Sequence, residues 1–260
     1  MLTVLASGKA APGVTTSAWA LALSWPRPLL VADCDLAGGD MAPGMLAGRV
    51  SIDRGLLSWS AAARHDLPAA EAATLLAEHA VEIPEQPQVS LIPGFATTVQ
   101  GSSFTTRAWE RLAAALTRSA ASLGRDAVVD AGRLVTDRGC WPVLRAADQV
   151  LLTVRPSVRS VHAAQDAVQR LRQELGDLAT VSALVVGDGP YSAGEVAKAL
   201  DLPLVGVLPE DRAAAAVLSD GARSSTKAMR RSALMRAATS LAGTLAASTG
   251  RSSDAAVMAG

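Results

Sequence analysis

Apolar residues fall into two patterns that alternate along the chain. Short uninterrupted runs occupy Leu2 to Ala6, Leu29 to Ala32, Val89 to Ile92, Ala127 to Asp130, Gln149 to Val154, Val181 to Gly187 and Leu204 to Leu208. Runs that do not alternate with polar residues belong to strands covered on both faces, as in a parallel sheet flanked by helices. Segments of helical composition lie between them. One begins at Thr15, and Thr105 to Leu123 carries Trp109, Leu112, Leu116 and Leu123 at near-helical spacing. Ser157 to Leu175 has Ser157 or Ser160 as its cap, and Ser192 to Leu200 follows. A last long helix is predicted from about Ser225 to Ala247, with a stripe of Leu234, Ala237, Ala238, Leu241 and Leu245 that suits docking onto the body. Strands alternating with helices through short loops predict an α/β fold: a single doubly wound domain, mostly parallel sheet with helices on both faces. The expected domain spans 1–250, and 251–260 (RSSDAAVMAG) is expected to be a mobile tail. Gly38 to Pro87 is less regular and reads as a surface helix and a loop.

Composition narrows the function classes. Hydrophobic residues make up 50% of the 260 and charged residues 18%, which excludes disorder as the main state. The 24 basic and 24 acidic residues cancel, removing any bulk electrostatic case for nucleic acid or acidic lipid. Aromatic residues at 3% are too few for base-stacking platforms. Cys34 and Cys140 form neither a CxxC pair nor a zinc spacing, so a reducing, cytoplasmic location is expected. No segment approaches the ~20 apolar residues of a membrane helix, so no membrane insertion is expected. Ser17 to Trp25 is apolar enough for a signal peptide but lacks the basic start, and Pro26-Arg27-Pro28 leads into the next strand. His65, His79 and His162 have no carboxylate or serine partners at useful spacing and read as surface or helix residues.

The strongest chemical signal is Gly8-Lys9-Ala10-Ala11-Pro12-Gly13-Val14-Thr15-Thr16, between a predicted strand and a predicted helix. Small residues there let successive backbone N–H groups and the helix N-terminus face an anion, usually a phosphate. Read alone, the segment is also compatible with an ordinary strand-to-helix turn capped by threonine. Two later features favour phosphate. One strand ends in Asp33-Cys34-Asp35 and another in Asp130, and carboxylates at the carboxyl ends of parallel strands face the same crevice as such a loop. There they can hold Mg²⁺ through water and orient an attacking water.

With these residues in view, the sequence resembles the ParA/MinD family of deviant Walker P-loop ATPases. The family loop, K-G-G-x-G-K-T-T, stands here as Lys9 to Thr16; Leu29 to Asp35 resembles its D-x-D strand and Ala127 to Asp130 its Walker B strand. Ala147 to Pro156 and Leu202 to Asp211 (LPLVGVLPED) resemble two later strands, the second with the loop that cradles adenine. The resemblance covers most of Leu2 to about Gly221 and is weakest from Gly38 to Thr98. It implies ATP and Mg²⁺ as cofactors. Lys9 then matches the signature lysine that reaches a partner's nucleotide across a homodimer, and Asp35 the water-orienting carboxylate. Thr15 matches the Mg²⁺ ligand, Thr16 a phosphate contact, Asp33 and Asp130 outer-sphere Mg²⁺ partners, and Pro209, Glu210 and Asp211 the purine loop.

One departure changes the expected chemistry. Val14 stands where the family has its P-loop lysine, and Ala10 and Ala11 replace two glycines. Binding without brisk hydrolysis is the expectation, and similar degenerate loops occur in the TadZ/CpaE-like branch, which positions pilus and secretion machinery. The implied function is a dimeric, nucleotide-binding positioning or scaffold protein with a protein partner from a pilus, secretion or partition system. Two alternatives stay open: a scaffold with a decayed loop, and a slow ATPase in which Lys9 or Arg133 supplies the missing charge. Lys227, Arg230 and Arg231 crowd the start of the predicted last helix and could meet an anion such as DNA, but zero net charge favours a solvated basic end.

Overall fold

The computed structural model describes residues 1–9, 13–37, 39–46, 51, 53–63, 67–135, 139–222 and 224–257, with side chains to 248. The apolar runs form an eight-stranded sheet of order β3-β4-β2-β5-β1-β6-β7-β8. The strands are β1 (Leu2–Ser7), β2 (Leu29–Asp33), β3 (Val81–Ile83), β4 (Gln86–Ile92), β5 (Asp126–Arg133), β6 (Gln149–Val154), β7 (Thr180–Val186) and β8 (Leu204–Leu208). Neighbouring strands pair in parallel except β3, which runs antiparallel to β4 at one edge.

Helices cover both faces, so the expected doubly wound α/β domain is what forms. On one face pack α1 (Val14–Ala22), α2 (Met41–Met45), α10 (Arg212–Ser219) and α12 (Ala233–Val257), closing over Leu5, Leu29, Val31, Val128 and Leu151. The other face carries α3 (Leu56–Ala62), α4 (Ala69–Glu78), α6 (Thr106–Leu123), α7 (Trp141–Arg145), α8 (Val158–Leu175) and α9 (Ala193–Leu200), over Val4, Ala6, Leu30, Val129 and Leu152. The two short helices α5 (Thr98–Ser103) and α11 (Thr226–Arg231) complete the set among the described residues. Adjacent residues of β1, β5 and β6 thus enter opposite cores, which is why these strands read as unbroken apolar runs.

Caps set several helix starts where the sequence placed them. Ser157 accepts from the Ser160 N–H at the start of α8, and Ser192 with Glu195 forms a capping box on α9. Thr105 accepts from Ala108 N–H and begins α6, whose Trp109, Leu112 and Leu116 are buried while Leu123 is exposed.

Three expectations need correction. Residues 38–87 hold more than a surface helix and loop: α2, α3, α4 and β3 are present, and Leu56, Trp59, Ala73 and Leu76 are wholly buried. Trp59 anchors α3 to α4 by donating from its indole N–H to the Ala72 carbonyl, 3.2 Å away. The expected last helix is two helices. Ser232 is extended (φ −61°, ψ 155°), its hydroxyl accepting from the Met235 N–H at 3.2 Å, and so begins a new helix instead of continuing α11. Arg230 and Arg231 therefore sit in the last turn of α11, where they favour the helix dipole. Finally, α12 continues to Val257, past the predicted helix end at about Ala247, in a segment rich in alanine. Its stripe docks as expected: Leu234, Ala238, Leu241 and Leu245 are buried on the α1 face and Ala237 packs beside them.

Candidate functional site

The chain leaves β1 towards β2 on one side and β6 towards β7 on the other, so a crevice opens at the carboxyl ends of β1 and β6. This is where ligands settle in open α/β sheets. The small-residue loop occupies it. Gly8 is buried against α8, so close that a Cβ there would lie 2.3 Å from the Ala163 carbonyl oxygen. Lys9 is exposed, and Ala10, Ala11 and Pro12 lie outside the described residues. Gly13 takes the left-handed conformation (φ 64°, ψ 32°) as the N-cap of α1 and supplies no capping side chain, while its carbonyl accepts the first helical bond from Ser17 N–H at 2.9 Å. Among the described residues no side chain caps the N–H groups of that first turn. Thr15 and Thr16 are half-buried there, whereas Val14 is turned into the core, 4% exposed among apolar neighbours.

The carboxylates converge beside this turn. Asp33 and Asp130 are register partners on β2 and β5, both 1% exposed and on the α1 side of the sheet. The Cys34 N–H donates to the Asp130 carbonyl at 2.7 Å and fixes the end of β2 over β5. Asp130 Oδ1 accepts from Gly132 N–H at 2.9 Å, and its buried Oδ2 has no hydrogen-bond partner among the described residues. Burial above all pushes the Asp130 carboxyl up to about 6; the Thr15 hydroxyl and Gly132 N–H oppose this, and the charges of Asp35 and Asp40 add to it. Asp33 is raised well above the usual carboxylate range, first by burial and then by Asp130, although Met41 N–H (3.2 Å) and Asp35 N–H (3.4 Å) donate to it. Half-buried Asp35 lies on Gly132: a Cβ on that glycine (φ 60°) would stand 2.2 Å from the Asp35 carboxyl carbon. Burial raises Asp35 as well, countered by Ala37 N–H and the charge of Arg133.

These residues suit a magnesium ion. A buried carboxylate oxygen without a partner, the Thr15 hydroxyl beside that carboxylate and a high local negative charge form a donor set of hard oxygens. No group of three or more His, Cys, Asp or Glu among the described residues forms a cage of its own. The sequence reading missed Asp40, whose charge acts on both Asp35 and Asp130.

On the other side of α1's first turn is a cavity of about 140 Å³ between Gly13, Thr16, Gly187, Pro209 and Arg155. Half-buried Pro209 lines it, and Glu210 at its edge is held by two cations: Oε2 accepts from Arg155 at 3.2 Å and Oε1 from Arg212 at 2.9 Å. Both pull the Glu210 carboxyl below its usual range. Asp211 is engaged in structure: Oδ1 accepts from Ala214 N–H (3.1 Å) to cap α10, and Oδ2 accepts from Ala233 N–H (3.0 Å) and Leu234 N–H (3.4 Å) at the start of α12.

Exposed Arg133 and half-buried Asp35 share a larger cavity of about 700 Å³ with the two buried free cysteines, Cys34 and Cys140. His79 does have a serine partner, Ser58 Oγ at 3.0 Å from Nδ1, while the same nitrogen is 3.2 Å from the Asp53 carbonyl; this bond ties α3 to the end of α4. His65 lies outside the described residues. No helix among the described residues is long and apolar enough to cross a membrane.

No family model matches the chain, and no curated protein does. Solved structures do. A septum site-determining protein MinD complexed with Mg-ADP, from Pyrococcus horikoshii OT3, superposes with a TM-score of 0.71 over 94% of this chain and 96% of that one, at 16% identity. A ParA family ATPase from Chlorobium tepidum TLS gives 0.71 over 93% and 98%, at 20% identity. A chain of a MinC:MinD cell division protein complex from Aquifex aeolicus gives 0.70 over 95% of each chain, at 18% identity. The shared property is the fold.

Proposed function

We propose that the chain is a ParA/MinD-like positioning or scaffold protein that binds Mg·ATP and hydrolyses it slowly or not at all. The observation that carries this reading is the buried Asp130 carboxylate, one oxygen of which has no hydrogen-bond partner among the described residues, beside Thr15 at the N-terminus of α1. The N–H groups of α1's first turn would face the phosphates, with the Thr16 hydroxyl beside them. Thr15 and Asp130, with Asp33 behind them, would hold the magnesium ion, which when bound supplies positive charge to the phosphates and offsets the buried carboxylates. Asp35 is the candidate for orienting water. Val14, turned into the core, adds neither charge nor donor, so transition-state stabilisation is weak while binding through backbone and metal survives.

Exposed Lys9 is available to a second copy, which supports a homodimer in which it acts across the interface. A MinD structure with MinC gives precedent for a protein partner in this fold. Our preferred branch is the TadZ/CpaE-like one, with pilus, secretion or partition machinery as cargo. DNA contact, if made, would run through Lys227, Arg230 and Arg231 on α11, a helix with no buried residue.

Titration with Mg·ATP by calorimetry tests the reading. Binding is expected about ten- to a hundredfold weaker than for a loop with its lysine, the worth of one charge-assisted contact. Folded protein that ignores millimolar Mg·ATP would leave the decayed scaffold as the answer.

A further inference from the structure

The geometry points to Arg155 as a phosphate-binding cation of this site, supplying in cis part of the charge that Val14 cannot. The inference rests on the nucleotide reading and names the residue that would hold the polyphosphate. Thr153 on β6 pairs with Ser7 on β1, so two residues further along Arg155 stands level with Lys9, at the mouth of the loop. Side chains alternate along a strand, and Leu151 packs in the α1-side core; Thr153 and Arg155 therefore emerge on the α1 side as well. Arg155 accordingly lines the same cavity as Gly13 and Thr16.

Its backbone is fixed and its side chain is not. The Arg155 N–H donates to Ser160 Oγ at 3.0 Å, and its carbonyl accepts from Ser157 N–H at 2.8 Å, which ties the residue to the start of α8. The guanidinium lies over Gly187, with Nη1 3.4 Å from where a Cβ would be, and its partner among the described residues is Glu210. That pair is long at 3.2 Å and half exposed, with side chains 48% and 30% accessible, so little is lost when it opens. Glu210 keeps Arg212 when Arg155 leaves. A planar fork of donors beside the first turn of α1 matches phosphate oxygens, which it can bind in pairs.

The test uses two probes, Mg·ATP and magnesium tripolyphosphate, which has the phosphates without base or ribose. Calorimetry on the full chain is expected to show Arg155→Ala weakening both by about ten- to a hundredfold. Arg155→Lys should stay within about fivefold of wild type, since charge is kept and only the fork is lost. Circular dichroism and melting of each variant separate misfolding from lost contact, and the lysine variant supports the inference even if the alanine variant folds poorly. Loss of ATP binding with tripolyphosphate unchanged would assign Arg155 to base or ribose and overturn it. So would unchanged affinity for both probes. Wild type binding neither probe would overturn the nucleotide reading itself, and this inference with it.

Discussion

Replacing Asp130 with asparagine should stabilise the ligand-free protein near neutral pH, and the structure sets the size of the effect. Asp130 is wholly buried, and its carboxyl rises from the ordinary 3.8 to about 6. Between those values the folded state binds more protons than the unfolded state, so this group's contribution to stability falls as pH rises through the window and levels off above it. The whole interval is worth about 3 kcal/mol, of which about 2 kcal/mol lies between pH 4.5 and pH 8. Asp33 rises with it and extends the window upward, since the two carboxylates titrate as a coupled pair. Asparagine keeps the acceptor for Gly132 N–H and removes the charge. Denaturant melts of both proteins from pH 4.5 to 8, taken as a difference, cancel opposing groups such as Asp126, which the N-terminal amine, Trp25 and Arg27 hold below its usual range. The advantage of Asp130→Asn over wild type should grow by about 2 kcal/mol across that range, while its Mg·ATP affinity falls at least about tenfold. A difference that stays flat with pH, or a variant less stable at pH 8 than wild type by more than at pH 4.5, would refute a carboxylate held at a cost for a cation.

A lysine at position 14 must swing out of the core that Val14 now fills; provided Val14→Lys melts like wild type, it should raise ATP hydrolysis at least about tenfold, about 1.4 kcal/mol of barrier, and adding Asp35→Ala should remove the gain. Tighter binding without faster turnover in a steady-state phosphate-release assay would place the defect elsewhere in the loop. Asp211→Ala removes caps from both α10 and α12, so a loss of about 2 kcal/mol and a fall in melting temperature of about 4–8 °C are expected, with Mg·ATP affinity nearly unchanged well below the melt. Lost nucleotide binding at unchanged stability would instead return Asp211 to the base pocket.

The parallel strands and capped helices were legible because each is specified locally. An apolar run with no alternation is a strand buried twice, and Thr105, Ser157 and Ser192 carry their own start signals. The segment 38–87 was not, because its helices are short and bury two or three residues each: α3 buries Leu56 and Trp59, too little for a period to emerge. Its edge strand β3 has three residues and one buried side chain, so only pairing with β4 defines it. The break at Ser232 was hidden for a different reason. A serine within a helical stretch is ordinary, and what turns it into a start is Asp211, twenty-odd residues earlier, supplying acceptors for Ala233 and Leu234.

The site divides along the same line. Gly13, Thr15, Asp33, Asp35 and Asp130 could be picked out because each stands near the carboxyl end of a strand or the start of a helix, although β5 runs three residues past Asp130, and parallel topology brings such ends together whatever the loop lengths. Residue type alone could not tell which oxygens would be free. Asp130 keeps an unpartnered one, whereas those of Asp211 are occupied by helix N–H groups, and the two aspartates are indistinguishable until their neighbours are placed. Arg155 is the extreme case. Nothing links position 155 to 8–16 in the chain, and the link is the β1–β6 register alone. A lysine missing from a motif is visible in one dimension, but a cation that could replace it is found only by asking which strand lies next to the loop.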